Sequence, residues 1–219
     1  MQRAFDQFNS NIAAIKEMDV LYQHLVNNLK LPNDLSDILR AQLVYSVSAL
    51  DKLIHELVRI GMLQAFKNQR IKTSKFNGFS ISLETYNKIQ QLNDPKPDTL
   101  QLETPEYFFE QEIIIKHKYL AFQEPEKIAD ALSFIWEEKQ KWQKIASEFN
   151  NLGENLNKSD DTLKKQLKNI ISRRNQIVHE ADIDIQTNKR NEIDIEDVKD
   201  AVNFIHDLGK VIFKLVSTT

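Results

Sequence analysis

Apolar residues recur every three or four positions through most of this chain, the spacing that gathers them on one face of an α-helix. Glycine and proline, which interrupt helices, number only 4 and 5 among 219 residues. Because long segments are therefore free of helix breakers, the sequence predicts an all-α helical bundle. The most regular stripes are Phe5, Phe8, Ile12 and Ile15; Leu39, Leu43, Leu50, Leu53 and Leu57; and Val198, Val202, Ile205, Leu208 and Ile212.

Residues that cap helices indicate where several of these helices begin. Thr104-Pro105 and Glu124-Pro125 place a proline in the first helical turn, where its missing N–H costs nothing. The helix from Glu124-Pro125 is expected to extend to Phe149, with a break in its apolar face at Glu138 and Lys139. Three aspartates are expected to cap further helices, namely Asp34, Asp161 and Asp194.

The segments between the helices predict one domain over residues 1–219, with an irregular insert at about 68–105. Within the insert, a short helix is expected after Ser82 and a turn-rich break at 93–98. Residues 150–161 are expected to form a polar loop. Farther on, isoleucines alternate with polar residues, a pattern that fits either a small hairpin or only a loop. These isoleucines are Ile183, Ile185, Ile193 and Ile195.

Composition excludes several classes of protein. The chain has no cysteine, which excludes disulfide scaffolds, thiolate zinc sites and cysteine nucleophiles. Its longest apolar runs, such as Ile12–Ile15, are far below the roughly 18 residues of a membrane span, and no secretion signal is visible. We therefore expect a soluble, cytoplasmic protein with no membrane partner. A net charge of −3 argues against a protein that coats nucleic acid but allows a local basic site.

One charged residue interrupts the stripe of the helix that begins near Leu163. Arg174 lies at the centre of that stripe, between Ile170 and Val178. An arginine stays charged, so it needs a carboxylate, a phosphate or a water-filled cleft. Asp51, in a mixed apolar and charged stripe of the second helix, is the carboxylate that we expect to pair with it.

That mixed stripe also contains Arg40 and His55, at spacings of three or four residues from its apolar members. It fits either a partly exposed flank or a set of paired charges, because an unpaired charge among apolar residues is costly.

His179 follows Arg174 by five residues. On an unbroken helix, five steps of about 100° set the two side chains about 140° apart. For both to serve one site, the helix must end or bend near Val178, or two chains must contribute.

The segment Arg173–Asp182, with the sequence RRNQIVHEAD, resembles the Arg-Asn-x-x-x-His motif of the HEPN superfamily, a group of helical ribonucleases and their inactive relatives. It looks most like the RiboL-PSP-HEPN branch of bacterial defence proteins. Four other segments resemble that branch in the same order, at 48–57, 122–128, 142–146 and 196–202. The resemblance covers most of Leu35–Val216 and implies a HEPN-like helical bundle.

The resemblance also implies a metal-independent endoribonuclease that acts as a homodimer, with the two motifs meeting in a cleft and RNA as the substrate. His179 would move the proton, because imidazole titrates near neutral pH. Arg174 would stabilise the charge on the phosphate. Asn175 would orient His179 or hold a phosphate oxygen. No cofactor is expected.

Basic residues cluster around this motif. Five of them, with no acid between, lie on the helix from Leu163 to Val178, and they predict a positive wall that binds phosphates or else an ordinary solvated face. The five are Lys164, Lys165, Lys168, Arg173 and Arg174. Of these, Arg173, Lys168 and Lys165 are the expected RNA contacts.

Other interpretations remain open at the level of sequence. Glu180, Asp182 and Asp184 match no tight metal-ligand spacing, so we expect them to solvate a loop rather than bind a metal. Many HEPN domains bind RNA or a protein partner without cleaving, which gives a non-catalytic module as the main alternative. Some relatives are toxins silenced by modification of a tyrosine two residues after the histidine. Here that residue is Ala181, so a different antitoxin or a phage-defence partner is expected.

Overall fold

A computed structural model describes residues 1–93, 104–153 and 157–217. Within these ranges the chain forms helices and no strand, which confirms the all-α prediction. A π-helical turn (His24–Asn28) continues the first helix. The helices are α1 (Gln2–Gln23), α2 (Ser36–Phe66), α3 (Ser74–Asn77), α4 (Leu83–Asn93), α5 (Pro105–His117), α6 (Pro125–Leu132), α7 (Lys141–Asn150), α8 (Asp160–His179) and α9 (Ile195–Ser217).

Helix α2 is the centre of the bundle and packs against α1, α5, α6, α8 and α9. Its predicted stripe is buried, with Leu50, Leu53 and Leu57 each exposed by 2% or less. Burying one such side chain contributes about 1.5–3 kcal/mol to the free energy of unfolding. The opposing stripe of α9 is equally buried and includes Ile205, Leu208 and Ile212.

Two glycines allow the helices around α2 to approach closely. A Cβ atom added at Gly209 of α9 would lie 2.5 Å from Cζ of Phe8. One added at Gly61 of α2 would lie 2.5 Å from Cγ2 of Ile135. Real Cβ atoms do not approach other atoms so closely, so both crossings require glycine.

The predicted helix from Pro125 to Phe149 is wrong, because the chain forms two helices there, α6 and α7. Carbonyl groups beyond Leu132 are bound by side chains from a distant segment. The hydroxyl of Thr73 donates to the carbonyl of Ser133 at 2.8 Å, and Nε of Arg70 donates to the carbonyl of Ile135 at 3.0 Å. These contacts stabilise a helix end at this point, which periodicity in the sequence does not reveal.

The aspartate caps are partly confirmed. Asp194 accepts hydrogen bonds from the first backbone N–H groups of α9, as predicted. Asp34 accepts one from the backbone two residues later, where α2 begins. Asp161 is not a cap: Ser159 accepts the hydrogen bond of the backbone N–H of Thr162, and Asp161 lies within the first turn of α8.

The segment that the sequence predicts as an irregular insert contains α4 and also a short helix that the sequence pattern did not predict, α3. Thr104 caps α5 as predicted, and α4 begins directly after Ser82. Residues 94–98 of the predicted turn-rich break and residues 154–156 of the predicted polar loop lie outside the described residues. The segment between α8 and α9 is a loop with a single antiparallel bridge, between Ile183 and Arg190.

Candidate active site at the end of α8

Helix α8 carries the Arg-Asn-x-x-x-His motif and runs without a break to His179. The N–H of Glu180 still donates to the carbonyl of Gln176, at 3.0 Å, so the last turn keeps its helical hydrogen bond. The bend near Val178 that would bring Arg174 and His179 together is therefore not present. Within one chain the two side chains leave the helix about 140° apart.

Arg174 is half-buried, and its guanidinium is only partly satisfied. Nη1 donates to Oδ1 of Asn175 at 3.0 Å. Nε is buried and donates to no atom of the described residues. A buried donor without a partner costs about 1–3 kcal/mol. Arg174 also forms no ion pair with a carboxylate of the described residues, so its partly exposed side chain is available to an anion.

The predicted ion pair between Arg174 and Asp51 does not form. The carboxylate of Asp51 accepts a hydrogen bond from the backbone N–H of Phe122. It also lies 3.9 Å from Nε2 of His55. Asp51 thus joins the segment before α6 to α2 and forms no ion pair with Arg174.

His179 is exposed at the end of α8, where solvent and a bound molecule can reach its imidazole. Asn175 precedes it by four residues and therefore lies on the same face of the helix. Because Asn175 also accepts the hydrogen bond from Arg174, it lies between the two other motif residues. Asn175 is thus in contact with Arg174 and on the same helix face as His179, although Arg174 and His179 themselves point about 140° apart.

Arg173, predicted to contact RNA, instead makes structural contacts. It donates to both carboxylate oxygens of Asp182 and to the carbonyl of Glu192. Asp182 also accepts a hydrogen bond from Nε of Arg40. The expectation that Asp182 solvates the loop is therefore wrong, because its side chain is fully buried.

Sequence reasoning missed this pairing although one signal was present. Arg40 lies within the apolar stripe of α2, where a charge needs a partner. The stripe does not indicate that the partner of Arg40 is Asp182, which follows the motif histidine by three residues.

The lysines beside the motif differ in their partners. Lys164 lies within 3.0 Å of both aspartates in the first turn of α8. Lys168 pairs with Glu126 of α6 at 2.6 Å. Lys165 is exposed and forms no ion pair with a described residue. The predicted positive wall is therefore partly neutralised, and Lys165 is its most accessible charge.

No group of three or more histidine, aspartate or glutamate side chains among the described residues could hold a metal ion. None of the described helices is long and apolar enough to cross a membrane.

Comparison with known proteins identifies the family. The family model RiboL-PSP-HEPN matches residues 9–218, nearly the whole chain. No curated protein and no solved structure matches this chain. The matched region contains the bundle and the complete Arg-Asn-x-x-x-His motif on α8, and the chain belongs to the RiboL-PSP-HEPN family.

Proposed function

We propose that this protein is a metal-independent endoribonuclease whose active site joins Arg174, Asn175 and His179 in a dimer cleft. The observation that carries the proposal is Arg174, which is partly exposed and forms no ion pair with a carboxylate of the described residues, although it lies within the apolar stripe of α8. Its guanidinium is therefore available to a phosphate. In a HEPN family member, a cation without a carboxylate partner on the same helix as an exposed histidine supports phosphodiester chemistry.

The reaction needs a base, an acid and a cation, and the motif offers all three. The 2′-hydroxyl of RNA loses its proton to the imidazole of His179 and attacks the adjacent phosphorus. As the new P–O2′ bond forms, the P–O5′ bond breaks, and the imidazolium returns the proton to the leaving 5′-oxygen. Arg174 stabilises the charge on the non-bridging oxygens. The products are a 2′,3′-cyclic phosphate and a 5′-hydroxyl.

The geometry of α8 supports a homodimer as the active form. Since Arg174 and His179 point about 140° apart in one chain, one cleft takes the arginine from one protomer and the histidine from its partner. A two-fold axis then generates two equivalent clefts. Val178 and Ile185, exposed by 45% and 89% on either side of His179, offer apolar surface for such a contact.

Two lysines are the proposed contacts for the RNA backbone. Lys165 is exposed without an ion pair in the described residues, and Lys168 pairs only with Glu126. That pair is exposed on both sides and contributes little stability, so a phosphate can replace the carboxylate. Arg173 is left out of the proposed RNA surface because its guanidinium binds Asp182.

The cellular role that we propose is phage defence or a toxin system, which the family resemblance supports. Ala181 occupies the place of the tyrosine that is modified in some silenced HEPN toxins. A binding partner or antitoxin that acts without that modification is therefore proposed.

A comparison of two substrates tests the proposed chemistry. We expect the protein to cleave a labelled single-stranded RNA and to leave the same sequence intact when every 2′-hydroxyl is methylated. The RNA fragments should end in 2′,3′-cyclic phosphates. Cleavage of the methylated strand would contradict attack by the 2′-hydroxyl. Tight binding of both strands without cleavage would support the alternative, a non-catalytic RNA-binding module.

A further inference from the structure

The carboxylate of Asp182 is held by three side chains from three segments. Nε of Arg40 donates to Oδ2 at 2.5 Å, and Nη2 of Arg173 donates to the same oxygen at 2.9 Å. Nδ2 of Asn191 lies 3.2 Å from Oδ1. Burial acts to raise the pKa of Asp182, but these hydrogen bonds outweigh it and hold the pKa below its ordinary value. The side chain therefore remains a carboxylate although it is fully buried.

The backbone between His179 and Asp182 is short and tightly turned. Ala181 and Asp182 have φ angles of 51° and 58°, in the left-handed region that residues with a Cβ atom rarely adopt. The N–H of Asp182 donates to the carbonyl of Gln176 at 3.1 Å, inside the last turn of α8. An unfavourable conformation persists only where contacts hold it, and the buried carboxylate supplies these contacts.

Arg40 connects this turn to the start of α2. It is 4% exposed, and besides Asp182 it binds the hydroxyl of Ser36 and the carbonyl of Asn191, both at 2.6 Å. The last turn of α8, the loop after it and the first turns of α2 are thus joined through one carboxylate. His179 lies three residues from that carboxylate.

We propose that Asp182 is a positioning residue for His179, because it fixes the end of α8 against α2 and so sets where the imidazole stands in the cleft. The inference rests on the proposed function, since it assigns the positioning to the cleavage step. Asp182 also binds Arg173 and leaves Arg174 available, so one acid gives two consecutive arginines different roles.

The variant Asp182→Asn tests the proposal, because it keeps the size of the side chain and removes its charge. The first readout is the NMR signal of the His179 ring in the full chain, which reports its surroundings whether or not RNA is cleaved. We expect this signal to shift or broaden, while the signals of the four other histidines stay in place. The second readout is cleavage of a labelled single-stranded RNA. We expect kcat to fall by about 10- to 100-fold, as for a misplaced catalytic group, with RNA affinity little changed.

Two further variants complete the experiment. Arg40→Lys keeps a cation but loses the planar fork, so it should also move the His179 signal, and this test remains available if Asp182→Asn does not fold. Asp200→Asn, at an exposed position on α9, should change neither readout. An unmoved His179 signal and unchanged kcat in a folded Asp182→Asn or Arg40→Lys protein would overturn this inference alone. A wild-type protein that does not cleave RNA would overturn the proposed function.

Discussion

Chains that carry Arg174→Ala and chains that carry His179→Ala are each expected to be inactive alone and to regain cleavage when they pair with each other. The reason is the unbroken helix α8, which points the two side chains about 140° apart and assigns them to different clefts of the dimer. In a mixed dimer, one cleft receives both substituted residues and the other receives both native ones.

The size of the recovery follows from this arrangement. Random pairing of equal amounts makes about half of the dimers mixed, and one of the two clefts in each is intact. We therefore expect about a quarter of the wild-type rate per chain. The assay is cleavage of a labelled single-stranded RNA, after the two variants are mixed, unfolded and refolded together. A mixed sample that was never allowed to exchange subunits serves as the control.

If one chain supplied both residues of its own cleft, every cleft of the mixture would lack one of them. The exchanged sample would then be as inactive as the separate variants, although size measurements would show that mixed dimers had formed.

Three other predictions concern stability and RNA binding. Burial, helped by nearby positive groups, lowers the pKa of His117 from 6.5 to about 4. Between these pH values the unfolded chain binds more protons than the folded one, so the free energy of unfolding falls by about 3 kcal/mol as the pH drops from 6.5 to 4. The variant His117→Phe should remove this pH dependence in urea unfolding. Lys165→Ala should flatten the dependence of log Kd on log salt by about 0.7 for a single strand, if Lys165 contacts one phosphate. Gly209→Ala should destabilise the protein by about 1–3 kcal/mol in thermal unfolding, because its Cβ would clash with the ring of Phe8.

Matched controls exist for two of these three variants. Lys164→Ala removes a lysine that already binds the aspartates of its own helix, so the salt dependence should stay the same. Gly78→Ala adds a Cβ no closer than 3.6 Å to other atoms, so stability should change little. A His117→Phe protein that keeps the full pH dependence would contradict the role of His117, and a Gly209→Ala protein as stable as wild type would contradict the close helix approach.

Periodicity in the sequence predicted the helices because core-facing positions must repeat at the helical spacing. It also placed Arg174 where a charge requires a partner. It did not predict that Asp51, the expected partner of Arg174, binds elsewhere, because a stripe does not fix the rotation or the axial offset of α2 against α8. In the folded protein these bring Arg40, not Asp51, to the end of α8.

The remaining differences have the same origin in distant contacts. The helix expected to continue from Pro125 ends at Leu132, where Thr73 binds the carbonyl that follows. Arg173 and Arg174 are adjacent and chemically identical in the sequence. The buried carboxylate of Asp182, placed by a tight turn, binds Arg173 and gives it a structural role that Arg174 does not have.

The measurement that tests the proposed function most directly is RNA cleavage in excess EDTA by purified wild-type protein beside His179→Ala. We expect the wild type to cleave and to leave 2′,3′-cyclic phosphates, and His179→Ala to keep its fold and dimeric state without cleaving. Loss of wild-type cleavage on adding EDTA would contradict a metal-independent reaction. Equal cleavage by His179→Ala would contradict the assignment of the active site to the end of α8.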